Sequence, residues 1–238
     1  MSLAGLKKTL ILVLGLCLVG AVAGCSLPVL SQRPVTVGFQ EVTSQTDALV
    51  VDMKIPVVSG IEDEELQARI NSELGNAAMK EREEITHLAR VAEKLPGTTF
   101  ELYRDYRVTF NKNGILSLVT TSYQYTGGAH GLTVQESYNY DLKKREKIRL
   151  ADVFQPGVDY EKVINEEIKK QIASDPDKFP DGGAAFTGIA DDQPYYLKEG
   201  NLVVYFGLYE IAPYVSGIPE FDIPFTSFNG GVRAELLE

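Results

Sequence analysis

Tryptophan is absent from this 238-residue chain, and histidine and cysteine occur twice each. So few cysteines exclude a disulfide framework, and two distant histidines give no paired spacing for zinc. With 11 prolines the chain is neither collagen-like nor low in complexity. Basic residues are a minority: 23 Lys and Arg face 33 Asp and Glu, a formal charge of −10. Without clustered cations to displace the counterions of a phosphate backbone, nucleic acid is not an expected partner. What remains is ordinary globular composition, 44% hydrophobic and 24% charged, with a large store of 12 tyrosines.

The start of the chain has the layout of a secretory signal. Lys7 and Lys8 form a positive head, and the uncharged run Thr9 to Ala23 is too short for the ~20 apolar residues of a membrane-spanning helix. Val22-Ala-Gly-Cys25 ends that run with small residues before a cysteine and resembles the lipobox of bacterial lipoproteins. That resemblance implies lipid on the Cys25 thiol, cleavage before it, and a stable anchor once two or more acyl chains are attached. Removing residues 1–24 takes away two lysines and no acid, so 21 basic residues face 33 acidic ones and the charge becomes −12. Cys17 goes with the signal, so the mature chain has no internal disulfide. The expected layout is a signal peptide at 1–24, a tether at 25–34, α+β subdomains at 35–140 and 141–228, and a tail at 229–238.

Within the first subdomain, Val35 to Phe39 and Leu49 to Ile55 have strand composition, with Pro56 expected to end the second. Glu62 to Leu95 is the longest helical pattern. Leu66, Ile70 and Leu74 form one ridge and Ile85, Leu88, Ala92 and Leu95 continue it, Gly75 offering a place to bend and Pro96-Gly97 a stop. Phe100 to Phe110 alternates apolar and polar residues except at Arg104, Asn113-Gly114 makes a hairpin turn, and Ile115 to Tyr125 and Leu132 to Tyr140 complete an antiparallel meander. In the second half, Tyr160, Ile164, Ile168 and Ile172 mark another amphipathic helix. Ser174 to Pro194 is a long loop of the functional or mobile kind. Leu202 to Phe206 is a buried strand, and Ile218 to Phe225, with its two prolines, an edge strand. The fold class is α+β: an antiparallel sheet with long amphipathic helices packed on it.

Few residues carry chemistry. His87 lies in the long helix and has a structural role there. His130 sits among glycines in Gly127-Gly-Ala-His-Gly131, where the backbone reaches conformations closed to other residues; it can be a ligand, a base, or a brace for the turn. Glu210, beside Tyr209, can be an acid catalyst, a partner of His130, or a cap for the turn that follows it. Tyr125, Tyr205, Tyr209 and Tyr214, with His130 and Glu210, are the candidate ligand-binding residues, since tyrosine offers a broad apolar face with a polar tip. No metal, no cofactor and no confident catalytic residue is expected; the acidic segment Asp175 to Asp181 lacks the closing Glu of a calcium loop.

Tyr125-Thr-Gly-Gly-Ala-His-Gly131, Tyr138-Asn-Tyr-Asp141, Ile148-Arg-Leu-Ala-Asp-Val-Phe154 and Phe206-Gly-Leu-Tyr-Glu-Ile-Ala-Pro-Tyr-Val-Ser-Gly217 together resemble a two-part extracellular module. It occurs in RsiV-like anti-sigma factors, whose outer domain binds lysozyme, and ahead of the catalytic domain of PdaC-like peptidoglycan deacetylases. Neither the membrane-spanning helix of the former nor the deacetylase domain of the latter is expected in this sequence. The resemblance implies a lipid-anchored, extracytoplasmic module of the bacterial cell envelope, attached to the membrane by its N-terminal lipid. It would bind or sense a cell-wall glycan such as peptidoglycan, or a basic protein such as lysozyme, without catalysis. A structural envelope lipoprotein and a glycan-active hydrolase using His130 and Glu210 are the alternatives.

Overall fold

The computed structural model describes residues 34–92 and 97–237. The signal segment, Cys25, most of the tether, and Leu95 and Pro96 lie outside them. Strands β1 (Thr36–Gln45) and β2 (Leu49–Ser59) form a hairpin, followed by α1 (Glu64–Ala92), β3 (Phe100–Lys112), β4 (Ile115–Tyr125), β5 (Leu132–Asp141) and the short β6 (Glu146–Lys147). These six strands make one sheet in chain order. The second half contributes α2 (Tyr160–Ser174) and a three-stranded antiparallel sheet of β7 (Tyr195–Lys198), β8 (Asn201–Tyr205) and β9 (Glu220–Pro224).

The α+β class holds, with one difference in pairing. β2 and β3 run parallel, Leu49 opposite Phe100 and Met53 opposite Arg104, because α1 returns the chain to the start of the sheet as a crossover. Pro56 does not end β2. The strand pairs with β3 only as far as Met53 and continues to Ser59 against β1 alone, so a missing N–H on the unpaired side costs no ladder bond.

α1 runs without a break through Gly75. Asp63 accepts the Leu66 amide at 2.9 Å near its start, and the Asn71 side chain bonds both the N–H and the C=O of Val58, fixing the helix across β2. Its buried stripe is Leu66, Ile70, Leu74, Ala78, Ile85 and Ala89. Leu88, expected on that stripe, is 48% exposed: at 3.6 residues per turn the stripe passes through 85 and 89, and 88 falls outside it. Arg104 does not interrupt the alternation of β3 but keeps it, lying buried on the α1 side. The real interruption is a bulge at Thr109, whose Oγ1 donates to the Ser117 hydroxyl at 3.0 Å; beyond it Phe110 turns into the second core.

That core joins Ile164, Ile168 and Ile172 of α2 to Leu197, Leu202, Val204 and a group of phenylalanines. Ser174 to Pro194 belongs to it: Phe179 and Phe186 are buried, and the side chains of Asn165 and Gln193 bond the loop backbone. Val232 and Leu236 are buried there too, so residues 229–237 are built into the fold. β7, unforeseen in the sequence, pairs with β8, and β9 is an edge as expected. The second sheet covers part of the outer face of the first: Val119 packs with Tyr196, Val203 and Tyr205, while Asn139 donates to the Tyr195 carbonyl at 2.9 Å.

Candidate functional site

The glycine loop between β4 and β5 and the segment after β8 meet at one place on the surface. Gly127 and Gly128 have φ of +95° and +101°, the left-handed region that favours glycine, and the Tyr125 hydroxyl donates to the Gly128 carbonyl at 3.0 Å. Gly131 is required for a different reason. A Cβ there would run into the Tyr123 ring and lie 2.6 Å from the Gln124 carbonyl oxygen, so only glycine lets the loop descend onto β4. His130 is left exposed at the rim.

On the other side, Gly207 donates its amide to the Glu210 carboxylate at 2.7 Å and accepts from the Glu210 amide at 3.2 Å, closing a tight turn. That turn holds Tyr209 at φ +65°, a costly conformation for a bulky residue, and leaves it 58% exposed. Pro213 then starts a short 3₁₀ turn, Tyr214–Ser216, and the Tyr214 hydroxyl donates to the Gly131 carbonyl at 2.9 Å. The His130 and Tyr214 rings stack with centroids 4.0 Å apart, and the Tyr209 and Tyr214 centroids are 5.6 Å apart. His130 Nδ1 lies 3.0 Å from the Gly131 carbonyl, and its Nε2 lies 3.3 Å from the Tyr209 hydroxyl. The carbonyl can only accept, so Nδ1 donates to it.

The structure therefore brings together His130, Tyr209 and Tyr214, with Tyr125 bracing the same loop. It does not join His130 to Glu210, whose carboxylate accepts from its own turn; no hydrogen bond links the two among the described residues. Tyr205 points inward: it is only 3% exposed, its hydroxyl bonds Ser137 at 3.1 Å, and burial pushes its pKa up to about 12. Two residues the sequence reading did not weigh as site residues matter here, Gly131 and Tyr123. The signal for Gly131 was the third glycine of the loop, directly before an alternating strand. A hollow of about 650 Å³ between Lys144, Asp152, Tyr160 and Arg233 contains none of the expected residues. Two of its charges are already paired, Arg233 with Asp141 and Asp152 with Arg149. Among the described residues no group of His, Cys, Asp and Glu is arranged to hold a metal, and no helix is long and apolar enough to cross a membrane.

Residues 42–133, containing the glycine loop, match the family model described as deacetylase PdaC, and residues 151–226, containing Tyr209 and Tyr214, match a protein of unknown function, DUF3298. In its two halves the chain is thus similar to RsiV-like and PdaC-like proteins rather than to one of them alone. Anti-sigma-V factor RsiV of Bacillus subtilis strain 168 is 28% identical over 227 residues, covering 91% of this chain and 75% of RsiV. Peptidoglycan-N-acetylmuramic acid deacetylase PdaC of the same organism is 30% identical over 118 residues, 47% of this chain; the match spans a quarter of that enzyme's length. Crystal structures of DUF3298 proteins from Bacteroides fragilis NCTC 9343 and Pseudomonas aeruginosa PAO1 each superpose with a TM-score of 0.61. The former is 17% identical and covers 84% of this chain and 94% of its own; for the latter the figures are 20%, 86% and 97%. At those identities they speak for the fold. The histidine–tyrosine cluster is thus built where the two matched regions meet, His130 coming from the first and Tyr209 and Tyr214 from the second.

Proposed function

We propose that the chain is an extracytoplasmic binding module of the cell envelope, tethered by lipid on Cys25 after removal of residues 1–24. Its ligand contacts His130, Tyr209 and Tyr214. The observation that carries this is Tyr209: a bulky ring held on the surface in a left-handed backbone conformation, beside a stacked histidine and tyrosine. Strain of this kind, of order 1–3 kcal/mol, persists where function needs the geometry. The cluster offers ring faces and hydrogen-bonding hydroxyls suited to recognition, and the Glu210 carboxylate is engaged by its own turn. A basic protein such as lysozyme is the favoured ligand, on the RsiV-like resemblance and a net charge of −10. A cell-wall glycan is the second reading, favoured by ring faces beside hydrogen-bonding hydroxyls and by the peptidoglycan deacetylase among the relatives.

Calorimetric titration of the full chain in detergent with lysozyme, at low salt and at about 0.15 M, tests this. Binding that survives the higher salt and falls at least ten-fold in Tyr209→Ala and Tyr214→Ala supports the protein reading. Attraction confined to low salt is charge pairing screened over about 8 Å and counts against it. Binding of peptidoglycan fragments instead of lysozyme, lost in the same variants, replaces it with the glycan reading. Lipid attachment is read separately, as incorporation of labelled palmitate that disappears in Cys25→Ser.

A further inference from the structure

The aromatic cluster stands at one corner of a larger surface, the part of the outer face of the main sheet that the second sheet leaves open. Alternate residues of three strands project there. The register sets Asp52 beside Tyr103, Tyr103 opposite Tyr123, Asp105 opposite Thr121 and Glu101 opposite Tyr125. The Tyr103 and Tyr123 rings are 6.4 Å apart and tilted by 37°, forming one side of an open hollow of about 250 Å³ that Asp52, Lys54, Asp105, Thr121 and Arg104, whose guanidinium is buried against Glu81, complete. Tyr103 is 41% exposed. Lys54 and Asp105 share one ion pair at 3.5 Å, while Asp52 and Glu101 have no hydrogen bond or ion pair among the described residues.

We propose that this face receives the guanidinium and ammonium groups of a basic protein's side chains. The inference rests on the protein-binding reading above and names a second contact surface for it. Two aromatic faces beside unneutralised carboxylates attract a cation twice, through the ring quadrupoles and through the charges. The same carboxylates disfavour the other occupants: a second copy would set acid against acid, and a membrane of anionic lipid would be repelled. A neutral glycan draws nothing from a net negative field. Continuity also points to one partner over both regions, since Tyr123 lies under Gly131 and Gly131 accepts from Tyr214. A ligand seated on His130 and Tyr209 therefore continues onto Tyr103 and Asp52.

The test uses the full chain in detergent at about 0.15 M salt, titrated with two probes, lysozyme and a nona-arginine peptide. The variants are Asp52→Asn with Glu101→Gln, and Tyr103→Leu; a control pair on the exposed side of α2, Glu161→Gln with Glu166→Gln, removes the same charge elsewhere. Circular dichroism checks folding, and Asp52→Asn alone stands in for the double variant should it not fold. We expect the double variant to weaken both probes about ten-fold and Tyr103→Leu about three-fold, with the control within two-fold of the starting chain. Lysozyme binding that is lost in Tyr209→Ala but unchanged in the face variants overturns this inference and leaves the proposed function standing. No lysozyme binding, with an arginine-peptide affinity that falls only in the face variants, retains the cation-binding face and removes lysozyme. Face variants indistinguishable from the control with both probes overturn it outright.

Discussion

The two faces of the main sheet are made of alternate residues of the same strands and treat polar groups in opposite ways. Towards α1, Arg104 is 5% exposed and its guanidinium donates to Glu81 at 2.7 Å, Thr120 at 2.9 Å and Glu136 at 3.1 Å. Glu81 in turn accepts from Gln124, and Glu136 from Tyr138. Towards solvent, one and three residues away along β3, Tyr103 and Glu101 have no such partners among the described residues. Burial makes an unpaired charge cost several kcal/mol, so the charge of Arg104 is met within the chain, although its Nε and the buried Tyr140 hydroxyl have no hydrogen-bond partner among the described residues. The outer face is under no such demand, and its unpaired groups are available to another molecule. Where the second sheet covers that same outer face, pairing returns: Asn139 bonds both Ser117 and the Tyr195 carbonyl. Cover raises the demand for pairing without being its only cause, since Lys54 and Asp105 pair on the open face.

Breaking the inner face should have the largest effect. Arg104→Ala leaves Glu81 buried without its cation and is expected to cost about 4 kcal/mol in urea unfolding. Arg104→Met combined with Glu81→Leu should recover most of that loss, because the desolvated pair is replaced by packing. A loss in Arg104→Ala below about 1 kcal/mol would mean that water reaches the pair and the contrast between faces is weak.

Next is Asp141, at the end of β5, buried and bonded to Arg233 at 2.6 Å. Burial alone would raise its pKa, but the Arg233 guanidinium and the Lys144 amide outweigh it and hold the carboxyl below the usual aspartate range. A lowered folded pKa contributes stability that is complete above the unfolded value of about 3.9 and is lost as the pH falls through the folded one. Asp141→Asn should therefore cost about 3 kcal/mol at neutral pH, and the gap to the starting chain should close as the pH falls below about 4. Denaturant midpoints measured across that range check both the size and the sign; a gap constant with pH would remove the ionic account.

The sequence showed the strands well wherever alternation met a single covered face, as in Phe100 to Tyr103, and showed α2 through its isoleucines. It misled where a residue type masked its environment. Arg104 looked like an interruption because a buried cation is legible only through partners on α1 and β5, far away in sequence. The parallel β2–β3 pair was hidden for the same reason, since the direction of pairing is a tertiary fact. At the site, the glycine loop and the 205–217 segment were each visible from composition. Nothing in either predicted that Tyr214 would stack on His130, whereas the burial of Tyr205 was already legible in the buried-strand pattern of Leu202 to Phe206 and spoke against it as a ligand contact. Glu210 proved to close its own turn, a local role that its position three residues after Gly207 already allowed.

The open face can be disturbed without touching its ligand groups. Gly131→Ala would push a methyl into the Tyr123 ring and the Gln124 carbonyl, at a cost of about 2 kcal/mol, and would displace His130 and Tyr123 together. Stability and ligand affinity should fall in the same variant. Were affinity untouched, the loop would be only a turn.

The smallest effect on stability is the most pointed. Tyr209 contributes an exposed ring and one 3.3 Å hydrogen bond, and its left-handed backbone costs roughly 1–2 kcal/mol that glycine would not incur. Glycine forfeits some of that gain through its looser unfolded chain, by about 0.5–1 kcal/mol. Tyr209→Gly should therefore stabilise the fold by about 0.5–1 kcal/mol, a rise in Tm of about 1–3 °C, while Tyr209→Ala keeps the strain and gains nothing. Both should lose ligand affinity alike, because both lose the ring. A chain that becomes more stable and binds less in one substitution marks that residue as held in place for a ligand. If glycine and alanine destabilise equally, the ring is holding the turn, and the exposed cluster is structural like the face behind it.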